Sequence, residues 1–155
     1  MLTHSPAETR ALGRQLAQSL QAGDVLLLWG DLGAGKSELT RGIAEGLGVT
    51  STVTSPSFTI LNVYDEGVMP LYHFDWYRLN GVDELYEMGM DEYLGGDGVA
   101  VVEWPGMAGL DPEPALYIRL ERGVGDDTRR ITIENRGVAG FEPEALDEWG
   151  CEHAE

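Results

Sequence analysis

The segment that decides the fold runs from residue 30 to residue 37 and reads Gly30-Asp31-Leu32-Gly33-Ala34-Gly35-Lys36-Ser37. It matches the phosphate-binding pattern in which a glycine is followed by four residues, a second glycine, lysine, and serine or threonine. In such a loop the backbone N–H groups surround the phosphates, the lysine reaches the β and γ oxygens, and the hydroxyl binds Mg²⁺. Lys36 is the only lysine among 155 residues, so the chain retains this side chain where a phosphate needs it.

The flanking residues predict a strand before this loop and a helix after it. Residues 24–30 carry a continuous apolar run, which is typical of a strand covered on both faces in a parallel sheet. From Ser37 to Leu47 a leucine or isoleucine recurs every four residues after Leu39, and Gly48 is suited to end the helix. Phosphate would then meet a helix N-terminus, which favours anions. An ordinary glycine-rich turn before a helix is the alternative, and the four fixed positions together argue against it.

Length and composition predict one domain in the cytoplasm. A chain of 155 residues is long enough for one core but too short for a nucleotide domain plus a separate substrate domain. We take residues 1–140 as a P-loop ATPase domain and residues 141–155 as an acidic C-terminal tail. No apolar run approaches the roughly 18 residues of a membrane span, and the N-terminus lacks the features of a secretory signal. The single cysteine, Cys151, supports neither a disulfide nor a zinc site.

The charge of the chain is strongly negative. Its 27 acidic residues stand against nine arginines and one lysine, which gives a net charge of −17. This charge disfavours broad contact between the isolated chain and nucleic-acid phosphates, so any RNA in its function is expected to be held by another protein. The same composition indicates adaptation to a salty cytoplasm, where screening removes much of the self-repulsion. Replacement of lysine by arginine without such adaptation is the alternative.

The N-terminal residues predict a first helix. Ser5 is suited as the N-cap, Pro6 as the first helical residue, and Glu8 as the partner that closes a capping box. Leucines at every fourth position form one apolar stripe, and the helix is expected to continue to about Gln21 before Gly23 ends it.

The rest of the chain predicts a mixed sheet. Residues 58–64 and 69–75 are apolar-rich and joined by a turn at residues 65–67, which favours a hairpin. A short helix is expected over residues 82–88, with a further turn to residue 94, and a buried strand over residues 99–102. Residues 115–121 and 129–134 alternate between apolar and polar, which predicts half-exposed antiparallel edge strands. Together these elements predict a single three-layer α/β domain of the P-loop NTPase class, with a mixed, mainly parallel central sheet and antiparallel edge strands.

Two carboxylates follow predicted strands. Asp75 ends one apolar run in the manner of a Walker-B aspartate, and Glu103 ends another. Ligands in open α/β sheets collect at this edge, and hydrolysis needs both an acidic group on Mg²⁺ or its waters and a group that orients the attacking water. Metal coordination and water positioning are separate tasks, so both residues could serve. Solvated acids at strand ends are the alternative.

Further polar and aromatic residues are weaker candidates. Thr54 and Ser55 lie where a hydroxyl-rich segment could fold over the γ-phosphate like a switch, although an ordinary turn has the same composition. His73 is a conceivable general base, but a lone histidine in a strand is more often structural, and we favour that interpretation. Trp104 could anchor a partner, stack on a base, or lie at the edge of the core. Three arginines are candidates for phosphate, nucleotide or acidic-partner contacts, with ordinary surface arginines as the alternative: Arg78, Arg129 and Arg130.

The ordered blocks GDLGAGKS, TSPSFTI, LYHFDWYRL and VEWP resemble the bacterial TsaE (YjeE) family, and the match spans most of residues 5 to 135. The resemblance implies a small Mg²⁺-dependent ATPase, slow alone, that assists synthesis of threonylcarbamoyladenosine at position 37 of ANN-decoding tRNAs. Its partners would be TsaD, which would carry the transfer chemistry, and TsaB. The resemblance also implies that residues 33–37 hold the phosphates of ATP, that Ser37 and Glu103 ligate Mg²⁺, that Asp75 takes the Walker-B role, and that Thr54 and Ser55 form the switch-like segment.

Two positions depart from the family pattern. The family often has threonine where Ser37 stands, which keeps the hydroxyl. Gly106 stands where a longer polar residue is usual, and this bears on partner contacts beside Trp104. The acidic residues beyond Phe141 have no firm counterpart, so no role is assigned to them.

Three other functions are alternatives for a P-loop protein of this length. A regulatory GTPase would need an N-K-x-D motif, and the sole lysine already lies in the phosphate loop. A small-molecule kinase would normally have an arginine-rich lid and an acceptor pocket, and neither is visible in this length. A nucleotide-dependent binding module without significant turnover remains as the rival, because slow P-loop proteins use hydrolysis mainly to switch states.

The acidic composition generates a test of the high-salt interpretation. We expect the melting temperature to rise between low and molar KCl, because salt screens the repulsion among the acidic side chains. Thermal unfolding followed by circular dichroism measures this directly. A melting temperature indifferent to KCl would contradict the interpretation.

Overall fold

The computed structural model describes residues 1–31, 33–56, 58–108 and 112–149. Leu32, Cys151 and the end of the predicted tail, residues 150–155, lie outside the described residues. Within them, the strands are β1 (Leu2–Thr3), β2 (Val25–Trp29), β3 (Leu61–Tyr64), β4 (Leu71–Asp75), β5 (Val99–Glu103), β6 (Ala115–Arg122) and β7 (Arg129–Arg136). The α-helices are α1 (Pro6–Ala17), α2 (Lys36–Gly46) and α3 (Val82–Glu87). Short 3₁₀ helices span Met90–Tyr93, Pro105–Ala108 and Pro143–Trp149.

The described strands form one sheet in the order β1-β7-β6-β2-β5-β4-β3. The central strands β6, β2, β5 and β4 are mutually parallel, whereas β3 runs antiparallel to β4 and β7 antiparallel to β6. The predicted α/β domain with a mixed, mainly parallel sheet and antiparallel marginal strands is therefore confirmed.

Each face of the sheet carries its own apolar core. On one face α1 and α2 pack on the sheet through side chains such as Leu12, Leu39 and Ile43, all fully buried. On the other face α3 and the adjoining 3₁₀ turn cover β4 and β5, and the large buried residues there include Trp76 and Leu85. These two layers around the sheet make the predicted three-layer arrangement.

The helices α1 and α2 approach each other at glycines. A Cβ atom added to Gly42 would lie 2.0 Å from the carbonyl oxygen of Arg10, and one added to Gly13 would lie 2.5 Å from that of Leu39. At the rim of this contact Arg10 donates to Glu38 at 2.8 Å. The close approach fixes α1 against the helix that follows the phosphate loop.

The first helix differs from its prediction at both ends. The Ser5 hydroxyl accepts from the backbone N–H of Glu8 at 3.1 Å, as an N-cap should. However, the Glu8 carboxylate accepts from the backbone of His4 rather than Ser5, so the capping box does not close on the cap residue itself. The helix ends at Ala17 rather than near Gln21, and turns follow before β2.

The hairpin strands are shorter than predicted. β3 begins at Leu61 rather than residue 58, because Ile60 has a φ of 70°, which breaks the extended backbone. β4 begins at Leu71 rather than residue 69. The predicted helix after it is confirmed over Val82–Glu87.

The prediction that residues 115–121 form an edge strand is wrong. β6 lies inside the sheet, between β7 and β2, and β7 is itself bordered by the short strand β1, which the sequence did not indicate. The alternation in β6 arises because Arg119 and Glu121 point to the sheet face opposite α1 and α2, where both are exposed. Alternation reports that one face is open, not that the strand is at an edge.

The C-terminal acidic segment packs on the domain as far as the structure describes it. In the 3₁₀ helix Pro143–Trp149, Leu146 is buried in the core beneath α1. The indole N–H of Trp149 donates to the side-chain oxygen of Gln15. Among the described residues, the helices are all too short or too polar to span a membrane.

The glycine contact between α1 and α2 generates a stability prediction. Gly42→Ala should lower the free energy of unfolding by about 2 kcal/mol, because the new methyl group overlaps a backbone carbonyl, and overpacking typically costs more than the gain from alanine's helix propensity. The melting temperature should fall by roughly 6 °C. Gly81→Ala is the matched control, since nothing lies within 4 Å of its Cβ position. Equal melting temperatures for both variants would contradict the packing argument.

Candidate functional site

The site forms where the parallel strands end. In the sheet register Asp75 on β4 lies opposite Glu103 on β5, and Glu103 in turn lies opposite Leu28 on β2. The phosphate loop leaves β2 immediately beyond this point and leads into α2. The predicted meeting of the loop with both carboxylates is therefore realised by strand order and register.

The loop has the backbone that its glycines permit. Gly33 has a φ of 80° and Gly35 a φ of 105°, both in the left-handed region that side chains disfavour. A Cβ atom added to Gly30 would lie 2.7 Å from the carbonyl oxygen of Leu120. After Gly35, α2 starts at Lys36, so its first N–H groups face the loop without partners from a preceding helical turn.

A cleft of about 400 Å³ lies over the start of α2. It collects residues from the loop, the N-terminus of α1, the strand ends and the turn between β6 and β7. Nine residues that the sequence singled out line it: Gly33, Gly35, Lys36, Ser37, Ser55, Asp75, Glu103, Trp104 and Arg129. Its mixed polar lining at a helix N-terminus suits a phosphate-bearing ligand.

Lys36 is nearly buried at the centre of the cleft. Its ammonium group donates to the carbonyl oxygen of Gly30 at 2.6 Å and lies 3.7 Å from the centre of the Trp104 ring. Burial lowers the pKa of Lys36, while the charges of Glu103, Asp75 and Asp31 act in the opposite direction. The Gly30 carbonyl and the Trp104 ring are thus weak partners for this cation. Phosphate oxygens, which carry negative charge, would bind it more strongly.

The two carboxylates are also buried, with 7% of Asp75 and 6% of Glu103 exposed. The backbone N–H of Tyr77 donates to Oδ1 of Asp75 at 2.9 Å. Oε2 of Glu103 lies 2.6 Å from Nε2 of His73, which is itself buried. Neither residue is therefore an ordinary solvated acid at a strand end.

Trp104 closes one side of the cleft. Its φ of 56° is unusual for a residue other than glycine, and its ring lies over the ammonium group of Lys36. The ring of Tyr77 meets it edge-on at 5.1 Å between centroids, and 56% of Tyr77 is exposed. Trp104 therefore links the cleft to an exposed aromatic surface.

The switch-like pair divides between two environments. Ser55 lines the cleft. Thr54 is exposed, and its backbone is tied to the β3 segment, where its N–H donates to the Tyr64 hydroxyl at 3.2 Å and its carbonyl accepts from Asn62 at 3.3 Å. Only Ser55 of the two is placed at the cleft.

The three predicted arginines also lie in different places. Arg78 stacks on the exposed ring of Phe58 at 4.4 Å, outside the set of cleft-lining residues. Arg129 lines the cleft and donates to the carbonyl oxygen of Gly33 at 3.2 Å. Arg130 lies next to it in β7, opposite Leu2 of β1.

A second trough, of about 600 Å³, also borders the loop and shares Trp104 with the cleft. Asp31 lines this trough rather than the cleft. Gly106 permits its shape, because a Cβ atom there would lie 3.1 Å from the Trp29 ring. The unusual glycine beside Trp104 thus allows the chain to lie against that ring.

Sequence reasoning missed residues of the cleft and residues beside the loop. Arg122 approaches the loop so closely that a Cβ atom on Gly33 would lie 2.6 Å from its guanidinium. Thr9 lines the cleft from α1, and its hydroxyl lies 2.7 Å from that of Thr3. The position of Arg122 at the end of a strand was a usable signal, whereas nothing in the sequence places the start of α1 beside the loop.

The donor set near Lys36 consists of a hydroxyl and carboxylates. Among the described residues no group of three or more histidine, cysteine, aspartate or glutamate side chains could hold a metal alone. Mg²⁺ usually binds through one or two carboxylates together with phosphates and water. Ser37, Asp75 and Glu103 fit that requirement and would not suit a metal that needs a complete protein cage.

A phosphate loop between a parallel strand and a helix, with acids at the neighbouring strand ends, defines an α/β protein of the P-loop class. The model of the family described as threonylcarbamoyl adenosine biosynthesis protein TsaE matches residues 3–131. The chain belongs to the TsaE family, as the sequence resemblance predicted.

Individual relatives agree with this assignment. The tRNA threonylcarbamoyladenosine biosynthesis protein TsaE of Bacillus subtilis is 49% identical over 132 residues, which are 84% of this chain and 82% of that protein. The protein of the same name from Streptomyces coelicolor is 46% identical over 135 residues, covering 83% and 90%. The crystal structure of Bacillus subtilis YdiB superimposes with a TM-score of 0.76 at 39% identity, over 97% of this chain and 92% of that one.

The sole lysine offers a direct test of the electrostatics of the cleft. With ¹³Cε-labelled lysine, NMR should show one signal, titrating below the ordinary lysine pKa of about 10.4 because burial disfavours the charged form. Glu103→Gln should lower that pKa further, since the Glu103 carboxylate favours the charged ammonium. Glu134→Gln, on the distant exposed part of β7, should leave it unchanged. A midpoint at or above the ordinary value would contradict the burial of Lys36.

Proposed function

We propose that the chain is a Mg²⁺-dependent ATPase that supports N⁶-threonylcarbamoyladenosine formation at position 37 of tRNA by engaging and resetting a TsaD–TsaB complex. The main observation in support of this proposal is that the phosphate loop, the buried Lys36 and two buried carboxylates all line one cleft. Family membership supports the pathway, because the relatives are named for tRNA threonylcarbamoyladenosine biosynthesis.

The cleft divides phosphate binding among distinct groups. The N–H groups at the start of α2 and in the glycine loop are directed to anionic oxygens. Lys36 exchanges its contacts with Gly30 and Trp104 for the β and γ oxygens of ATP. Because this site excludes much of the water, each of these interactions is stronger than it would be at an open surface.

The carboxylates perform the remaining tasks. Ser37 and Glu103 would hold Mg²⁺, and Asp75 takes the Walker-B position beside them. When bound, the metal neutralises charge that develops on the phosphate oxygens. Asp75, whose Oδ1 is fixed by the Tyr77 backbone, can orient water at the metal or at the phosphate.

The same cleft can report its nucleotide state to partners. Ser55 and Trp104 both line it, and Trp104 contacts the exposed Tyr77. Nucleotide that draws Lys36 away from Trp104 removes a cation–π contact, which is typically worth about 0.5–2 kcal/mol. The loss of this contact would change the position of the Trp104 and Tyr77 rings that a docked partner meets. We propose that hydrolysis of ATP restores the original position.

The negative charge of the chain indicates that a partner protein holds the tRNA. A chain with a net charge of −17 repels the tRNA backbone. TsaD would carry the transfer chemistry and hold the tRNA, with this chain acting in the cytoplasm through protein contacts. We therefore expect slow ATP turnover by the isolated chain and faster turnover in the complex.

Reconstitution of tRNA modification from cognate TsaD and TsaB tests this function. With the chain and ATP present, modified tRNA should exceed the amount of TsaD over many turnovers. Without the chain, modification should stop early. Sustained modification in its absence would remove the proposed function.

Two substitutions separate binding from hydrolysis. Lys36→Ala should abolish nucleotide-dependent function, since no other lysine exists to replace it. Glu103→Ala should reduce hydrolysis about 100-fold, a typical loss for one electrostatic group in a site, and should reduce ATP affinity by less. Single-turnover hydrolysis within the full complex, measured over a range of ATP concentrations, gives the hydrolysis rate and the ATP affinity of each variant. Glu121→Ala, on the open sheet face, serves as the control. Glu103→Ala turning over ATP at the normal rate would show that the assignment of Glu103 is wrong.

A further inference from the structure

A buried histidine lies behind the carboxylate that ends β5. His73 is 2% exposed, and its Nε2 lies 2.6 Å from Oε2 of Glu103. In the parallel register His73 lies opposite Val101, and Asp75 lies opposite Glu103. Since side chains alternate along a strand, His73 and Asp75 share one face, and the imidazole reaches forward along the sheet to Glu103.

The direction of this hydrogen bond follows from its partners. An ionised carboxylate oxygen only accepts, so the contact with an ionised Glu103 has the proton on Nε2 of His73. Within the described part of the chain, the buried Nδ1 atom has no hydrogen-bond partner. The hydrogen bond that the structure shows for the His73 ring is therefore the one from Nε2 to Glu103.

An apolar side chain would fill the same space at lower cost. A buried polar atom without a partner typically costs about 1–3 kcal/mol, which a leucine at this position would avoid. The sequence favoured a structural role for His73, and the residue that it contacts, Glu103, lines the cleft. Its placement is explained if the position of the Glu103 carboxylate matters.

Glu103 has a competing partner nearby. Its charge acts on the ammonium group of Lys36, which lines the same cleft. A carboxylate released from His73 could rotate to pair with that ammonium, because opposite charges attract strongly in a poorly hydrated site. Such a pair would withdraw Lys36 from phosphate and Glu103 from the metal.

We propose that His73 is a positioning residue that holds Oε2 of Glu103, leaving the second carboxylate oxygen for Mg²⁺ and keeping Glu103 apart from Lys36. The inference rests on the proposed ATPase function and assigns a role within the same site. Groups that orient metal ligands in this way typically change metal affinity or activity by about 10–100-fold when removed.

The test compares His73→Leu with His73→Gln in the full chain. The amide nitrogen of glutamine reaches about as far as Nε2 and can donate to Glu103, whereas leucine cannot. Calorimetry gives the ATP affinity in EDTA and in Mg²⁺, and hydrolysis with the partner complex gives kcat and KM. Tyr72→Phe is the matched control. It removes the hydrogen bond from the Tyr72 hydroxyl to Asp97, which lies on the face of β4 opposite His73.

For His73→Leu we expect a small loss of ATP affinity in EDTA, because Glu103 then competes with phosphate for Lys36. We also expect a loss of about 10-fold or more of the affinity gained with Mg²⁺, and a lower kcat. His73→Gln should recover most of these losses, and Tyr72→Phe should match the wild type. If His73→Leu does not fold, His73→Asn replaces it, because asparagine is too short to reach Glu103 from this position.

The contrary results are distinct. Full retention of the Mg²⁺-dependent affinity and of kcat in His73→Leu, or in the asparagine substitute, would overturn the positioning role. Failure of His73→Gln to improve on it, with both variants folded, would also overturn it. If the wild type instead binds no ATP with or without Mg²⁺, the proposed function fails first, and the inference fails with it.

Discussion

The arrangement depends on keeping one buried ammonium group charged and available. Lys36 lies at the start of α2, where burial favours its neutral form and the positive end of the helix adds to that cost. Nearby carboxylates, the Gly30 carbonyl and the Trp104 ring offset the cost without a committed partner of full negative charge. The cleft is therefore prepared for a polyanion.

Strand order supplies the rest of the site. Because β2, β5 and β4 are parallel neighbours, their carboxyl ends deliver the phosphate loop, Glu103 and Asp75 to one edge. The glycines then set the distances: Gly33 and Gly35 supply the loop conformation, and Gly42 lets α1 lie close to α2. The site is thus a consequence of topology, with few contacts dedicated to it alone.

The sequence predicted those parts whose causes are local. The loop, its flanking strand and helix, and the acids at strand ends follow from residue spacing within short windows. The position of β6 could not be predicted in this way, because the alternation at Arg119 and Glu121 records an uncovered sheet face and carries no information about neighbouring strands. His73 gains its contact with Glu103 from the pairing of β4 with β5, which no local pattern encodes.

The most direct measurement of the central claim is titration calorimetry of the wild-type chain with ATP, ADP and adenosine in the presence of Mg²⁺. If the loop amides and Lys36 grip phosphates, ATP and ADP should bind with measurable heat, and adenosine should bind far more weakly. Absence of heat with ATP and Mg²⁺ across low and high salt, with TsaD and TsaB also supplied, would contradict the account. Equal affinity for adenosine and ATP would do the same, because the phosphates would then contribute nothing.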